Sequence, residues 1–226
     1  MARTPLRGLA ALGTGLAVAL LLAARAVSGT TAPTTLPDPA LDQPAATAKG
    51  EQTIVLSGGC FWGVQAVFQH VKGVVSATSG YAGGSRTTAI YDVVSSGMTG
   101  HAESVRVVYD SSKVSLGQLL KVFFSVAHDP TELNRQGPDT GPQYRSAIWY
   151  TSDAQRQIAQ AYIAQLTNAK AFPKPIVTEV APLKGFFEAE AYHQDYFNKH
   201  PNEPYIVFND KPKVEALHAQ FADLWR

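Results

Sequence analysis

Gln52–Val71 reads QTIVLSGGCFWGVQAVFQHV, and the period of its apolar residues changes halfway. Gln52–Leu56 is a short apolar run of strand length, broken by Ser57-Gly58-Gly59. From Cys60 onward, Phe61, Val64, Val67, Phe68 and Val71 recur at the spacing of one helix face. A strand is thus followed at once by a helix, and Cys60, the only cysteine of the chain, falls where that helix starts. Unpaired N–H groups and a partial positive charge at a helix N-terminus favour thiolate over thiol. Gly58 and Gly59 leave room above the sulfur and let the backbone turn sharply. A cysteine used only for packing requires none of this, so Cys60 is read as a nucleophile.

Downstream, strands are expected in Gly73–Gly84, Ala102–Asp110, Tyr144–Ser152 and Pro175–Leu183. Ser115 is a plausible N-cap for an amphipathic helix through His128, and Ser152–Ala169 reads as another helix. The tail holds AYHQDYF, read as helical, and a short helix near Val214–Leu224. This order predicts an α+β sandwich with long loops around Gly80–Gly100 and Asp129–Gln143. Loops of that length inside a compact domain usually carry function.

The chain has 226 residues, with 45% hydrophobic and 10% aromatic content, enough for one well-buried domain. Lys plus Arg exceeds Asp plus Glu by 19 − 18 = +1, and Arg3, Arg7 and Arg25 lie in the first 29 residues. No nucleic-acid or anionic-membrane partner is indicated. One cysteine excludes an internal disulfide and a multi-cysteine metal site.

Residues 1–29 have the charged, apolar and small-residue order of a secretory signal, with an apolar run from Gly8 to Ala24 and A-x-A spacing at Ala24 and Ala26. The rival is an uncleaved anchor, because the run sits at the short limit for spanning a bilayer. Either way export is expected, to a periplasmic or other extracytoplasmic location, or to the inner membrane if residues 8–24 are kept. Residues 30–50, with four prolines and no aromatic, read as a linker, leaving 51–226 as the catalytic domain.

Acid and hydroxyl groups stand in glycine-rich loops: Glu103 in SGMTGHAE, Asp139 and Tyr144 in GPDTGPQYRS, and Tyr91 in TTAIYD. Each alone has a plain reading, Glu103 as a solvated carboxylate and Asp139 as a turn residue. Six histidines leave a cysteine hydrolase open, with a histidine base beside Cys60. A third reading is a module that binds without catalysis. His128 and His193 are expected to be hydrogen-bonded framework groups.

GGCFWG, GYAGG, TGHAE, HDPT, QGPDTGPQYRS and AEAYHQDY occur in an order and spacing that resemble peptide methionine sulfoxide reductase A, from about Thr53 to about Phe221. The resemblance implies a ferredoxin-like sandwich core and thiol-dependent reduction of the S epimer of methionine sulfoxide, free or in oxidised proteins, as a repair activity. It implies that Cys60 attacks the sulfoxide sulfur, Glu103 is the general acid, Tyr91 and Tyr144 hydrogen-bond the oxygen, and Asp139 organises the loop. Phe61 and Trp62 would receive the S-methyl group. Cys60 would finish as a sulfenic acid. Many relatives resolve that species with a second cysteine, but here Ile206 and Ser95 occupy such places. An external thiol is therefore expected as reductant, such as thioredoxin, glutaredoxin with glutathione, or an exported equivalent. No metal or organic cofactor is called for, and a monomer is expected.

Overall fold

The computed structural model describes residues 35–43 and 50–226. The leader, residues 1–29, lies outside the described residues, as does most of the proposed linker. In chain order the described elements are β1 (Glu51–Gly58), α1 (Phe61–Gln69), β2 (Val74–Ala82), α2 (Tyr91–Val94), β3 (Ala102–Asp110) and α3 (Leu116–Val122). There follow β4 (Arg135–Gln136), β5 (Asp139–Thr140), β6 (Ser146–Tyr150), α4 (Asp153–Asn168), β7 (Glu179–Pro182), β8 (Phe186–Glu188), α5 (Tyr196–Lys199) and α6 (Lys211–Gln220).

Six strands form one sheet in the order β7-β6-β1-β3-β2-β8, and β4 pairs with β5 as a separate ribbon. Every pairing in the large sheet is antiparallel except β6 with β7. β1 and β2 therefore run parallel with β3 between them, joined by the crossover helix α1. β3 and β6 are related in the same way across β1 through α3. Two interlocked split β-α-β units of this kind make the expected ferredoxin-like core, and β7 and β8 extend its two edges.

The strand period sets the two faces. Ile54 and Leu56 of β1 join the large core with Val64, Val67 and Phe68 of α1, Leu119 and Leu120 of α3, and Ile158 and Leu166 of α4. Val55, between them in sequence, points the other way into a small cluster with Ala82, Ala147 and Trp149. Burial of a side chain such as Leu120 or Phe68 contributes roughly 1.5–3 kcal/mol each. α3 begins with a capping box in which Ser115 Oγ accepts from Gln118 N–H and the Gln118 side chain accepts from Ser115 N–H.

Three expectations change. Part of the linker is a strap: Leu36 is only 8% exposed, Tyr162 Oη donates to Pro37 O at 2.9 Å, and Gln165 Nε2 donates to Asp38 O at 2.8 Å. Asp42 Oδ1 accepts Gly117 N–H at 2.9 Å in the first turn of α3, and Asp42 also bonds Ser115 Oγ. Polar and proline-rich composition concealed these contacts. The AYHQDYF helix is two short turns instead, Ala191–His193 and α5, separated at Asp195 with φ 58°. The helix after Ser115 is α-helical only through Val122, and Phe123–Ala127 forms a π turn.

Candidate active site

Cys60 is the N-cap of α1, directly beyond the C-terminal end of β1. The turn between them depends on Gly59, with φ +87° and a virtual Cβ 2.4 Å from Gln136 Cβ and Cγ. Any other residue would strain the backbone and collide with the β4–β5 ribbon. Gly63, in the first turn of α1, allows an equally close approach, because a Cβ there would lie 2.1 Å from Asp210 Oδ1.

Glu103 is the second residue of β3, which runs antiparallel to β1, so its carboxylate lies at the end of the sheet where β1 finishes. Glu103 is 3% exposed, and its Oε2 accepts the Phe61 N–H at 3.0 Å. Burial pushes its pKa up to about 8, helped by the nearby Asp139 and Asp210 carboxylates and opposed by the Phe61 N–H. At neutral pH this is a neutral carboxylic acid bound one residue from the cysteine, able to give a proton rather than only accept one.

The sulfur departs from the sequence expectation. Burial raises the Cys60 thiol well above its ordinary value, with Glu103 and Asp210 adding to the rise. The Trp62 N–H at the helix start and the Lys213 ammonium act the other way but are outweighed. The resting group is a thiol, not a thiolate. The helix start moderates a desolvation effect larger than itself.

Tyr91 opens α2, and Tyr144 closes the 3-10 turn Pro142–Tyr144. Burial first, with Glu103 and Cys60 adding to it, pushes the Tyr91 phenol up to about 12. Tyr144 is raised by burial first, then by the same Glu103, with Asp139 and Cys60 among the further contributors. Both phenols therefore stay protonated as donors within the field of the acid and the sulfur. Asp139, on β5, accepts a hydrogen bond from Tyr205 Oη and is itself raised by burial.

Phe61 is 1% exposed, with its ring 5.0 Å from His193 and 5.9 Å from Tyr81. Trp62 stacks on Tyr196 at 3.8 Å and 6°, meets the edge of Tyr205 at 5.8 Å, and donates from Nε1 to His193 Nδ1 at 3.1 Å. The two aromatics thus share His193 as a neighbour, Phe61 buried and Trp62 half-buried. His193 orients Trp62. His128 is buried between Phe123 O at 3.1 Å and Ser146 Oγ at 2.7 Å, a framework role as expected.

All seven residues singled out in the sequence gather around the start of α1. Sequence reasoning missed Tyr205, Asp210 and Lys213. Asp210 is completely buried, with Oδ1 3.1 Å from Lys213 Nζ and Oδ2 without a hydrogen-bond partner among the described residues. The only signal was an aspartate three residues before a lysine, the pattern of an ordinary surface pair. Among the described residues, no group of three or more His, Cys, Asp or Glu side chains is arranged to hold a metal ion.

The family model for peptide methionine sulfoxide reductase matches residues 52–224, from β1 to beyond α6. The chain belongs to that family. Among its relatives, the peptide methionine sulfoxide reductase MsrA 2 of Mesorhizobium japonicum is 58% identical over 178 residues, covering 79% of this chain and 91% of the relative. The protein of the same name from Synechocystis is 50% identical over 190 residues, 83% of this chain and 89% of its own. Among solved structures, the reduced form of Mxr1 from Saccharomyces cerevisiae superposes with a TM-score of 0.62 at 33% identity, covering 67% of this chain and 87% of that one. Methionine sulfoxide reductase A of Corynebacterium diphtheriae gives 0.57 at 37% identity, with 69% and 77% covered. These family members share the α+β architecture described above.

Proposed function

We propose that the chain reduces methionine-S-sulfoxide, free or within oxidised proteins, to methionine, with Cys60 as the nucleophile. The observation that carries this reading is the buried Glu103 carboxyl, neutral below about pH 8 and fixed on the Phe61 N–H beside the cysteine. A sulfoxide oxygen is a poor leaving group until it is protonated, so the reaction needs an acid at that place. Tyr91 and Tyr144 supply hydrogen bonds to the same oxygen as its charge develops. The aromatic layer of Phe61 and Trp62 receives the S-methyl group, which fixes the handedness of the sulfur that can react.

The step balances as an oxygen transfer. The Cys60 sulfur attacks the sulfoxide sulfur, the S–O bond of the substrate breaks, and the oxygen ends on Cys60. Cys60 is oxidised by two electrons and the methionine sulfur is reduced by two. The thiol proton finishes on the transferred oxygen, so thiol plus sulfoxide gives sulfenic acid plus thioether. With no second cysteine in the sequence, an external thiol then attacks the sulfenic acid, releases water, and leaves a mixed disulfide for a second thiol to clear. Thioredoxin, a glutaredoxin with glutathione, or an exported equivalent fits that requirement. The leader supports export, which N-terminal sequencing of the secreted or membrane fraction tests.

The decisive experiment supplies dithiothreitol and each epimer separately. The S epimer is consumed, and without thiol one methionine forms per chain while Cys60 gains one oxygen by mass. Consumption of the R epimer alone overturns the reading.

A further inference from the structure

The chain has two methionines, Met1 in the expected leader and Met98 in the domain. Met98 is 88% exposed, more than any other large apolar side chain among the described residues. It stands in SSGMTG, residues 95–100, which joins α2 with its Tyr91 to β3 with its Glu103. Gly97 and Gly100 have φ of 75° and 76°, so the backbone turns on either side of Met98. The turn is pinned at both ends. Gln143 Nε2 donates to Ser95 O at 3.2 Å, and Arg145 Nη2 donates to Gly100 O at 3.0 Å. Gln143 and Arg145 are the chain neighbours of Tyr144, so the turn is tied to the segment that presents this phenol.

We propose that Met98, once oxidised, is a protein-bound substrate of this enzyme, presented to Cys60 of a second copy of the chain. The inference rests on the sulfoxide reductase reading and names one protein substrate for it. Cys60 is only 8% exposed, so a sulfoxide still attached to a folded protein reaches it only from a side chain that stands clear of its surroundings. Met98 meets that condition. Its companions in the turn are two serines, two glycines and one threonine, none of them bulky. None is charged either, so docking brings no new charge toward the buried carboxyls of Glu103 and Asp210. The site of its own chain is closed to Met98. A side chain this exposed points into solvent, and turning it inward would break the hydrogen bonds at Ser95 and Gly100.

The cycle balances with hydrogen peroxide as the oxidant. One peroxide oxygen passes to the Met98 sulfur, which loses two electrons, and the rest of the peroxide leaves as water. Both sulfoxide epimers form, because an exposed sulfur has no wall that favours one of its faces. In the second copy, the Cys60 sulfur takes the oxygen from the S epimer, restoring the Met98 thioether and becoming a sulfenic acid. An external thiol then reduces that sulfenic acid with release of water. The R epimer is left as it is.

The test uses the Cys60→Ser chain as substrate, since it has no thiol with which to repair itself. It is treated with hydrogen peroxide, freed of peroxide, and mixed with a trace of untreated wild-type chain and dithiothreitol. Trypsin releases residues 87–106, in which Met98 is the one methionine, and oxidation makes this peptide heavier by about 16 in mass. The wild-type chain is expected to remove about half of the oxidised peptide and then stop, because one enzyme serves one epimer. Melting curves of the Cys60→Ser chain before and after peroxide are expected to coincide, which places the repair on a folded substrate. A second preparation tests the need for another copy. Wild-type chain is capped at Cys60 as a mixed disulfide during the peroxide step and then uncapped with dithiothreitol. Its fractional rate of Met98 repair is expected to fall about tenfold on tenfold dilution, whereas repair within one chain is indifferent to dilution. Three results overturn the proposal: Met98 sulfoxide untouched while free methionine-S-sulfoxide is consumed, a rate indifferent to dilution, or a melt lowered by Met98 oxidation. Failure to consume free methionine-S-sulfoxide overturns the underlying reading instead.

Discussion

Glu103 shows how one residue takes its chemistry from burial. Its folded pKa of about 8 lies far above the usual carboxylate value, because its charged form has lost water and gained only one N–H bond. The folded chain therefore holds a proton there that the unfolded chain releases near pH 4 to 5. Stability from this group is complete below the unfolded value and is lost as pH climbs through about 8. Glu103→Gln removes that dependence, so thermal melts from pH 6 to 9 are expected to fall less for the variant than for the wild type. The same change removes the acid, and dithiothreitol-driven turnover is expected to drop roughly a hundredfold or more. Wild-type turnover is expected to decline above about pH 8, as Glu103 loses its proton. The residue types were legible in the sequence because glycine-rich loops displayed them. The protonation of Cys60 was not, because helix position is visible in a sequence and desolvation is not.

At the scale of elements, α1 is the part on which the site depends, and two glycines let it sit where it does. Gly59→Ala places a Cβ against Gln136 and forces a left-handed backbone on a side chain. Gly63→Ala drives a methyl group into Asp210, which is fully buried and cannot swing away. Each is expected to cost about 1–3 kcal/mol in denaturant unfolding, the range for overpacked interiors. Helix α1, strands β1 and β3, and the cap at Ser115 could all be read from period and capping residues. The break in the tail could not, because it depends on Asp195 adopting a left-handed backbone. Nor could the π turns: Phe123–Ala127 and Ile206–Asp210 continue helical stretches whose composition carries no mark of a changed hydrogen-bond step.

The described domain is a sheet with a large core on one face and a small cluster on the other, and the reacting groups collect at one end of β1. That end receives α1, the loop before β3, the α2 segment and the β4–β5 ribbon, so groups far apart in sequence meet there. Strand and helix order alone gave an α+β sandwich, and the ferredoxin-like core came from the family resemblance; the sheet order itself is read from the structure. The buried pair of Asp210 and Lys213 did not follow, since its burial depends on how α6 and the preceding turn close over α1. A molecule with one thiol cannot store its oxidised state as an internal bridge. Without a donor, it is expected to stop after a single methionine per chain and to stay monomeric on a non-reducing gel. Excess peroxide then carries Cys60 on to sulfinic acid, a gain of 32 in mass relative to the thiol, roughly two oxygens.

The strap at residues 35–43 bears on what the segment ahead of β1 does for the domain. Pro37 and Asp38 are hydrogen-bonded by α4, Asp42 holds the start of α3, and Leu36 is buried in the large core. The polar contacts of the strap are thus made with two helices and not with the groups that react. Deleting the strap is expected to lower the melting temperature while leaving kcat unchanged, because what it moors is the chassis and not the chemistry.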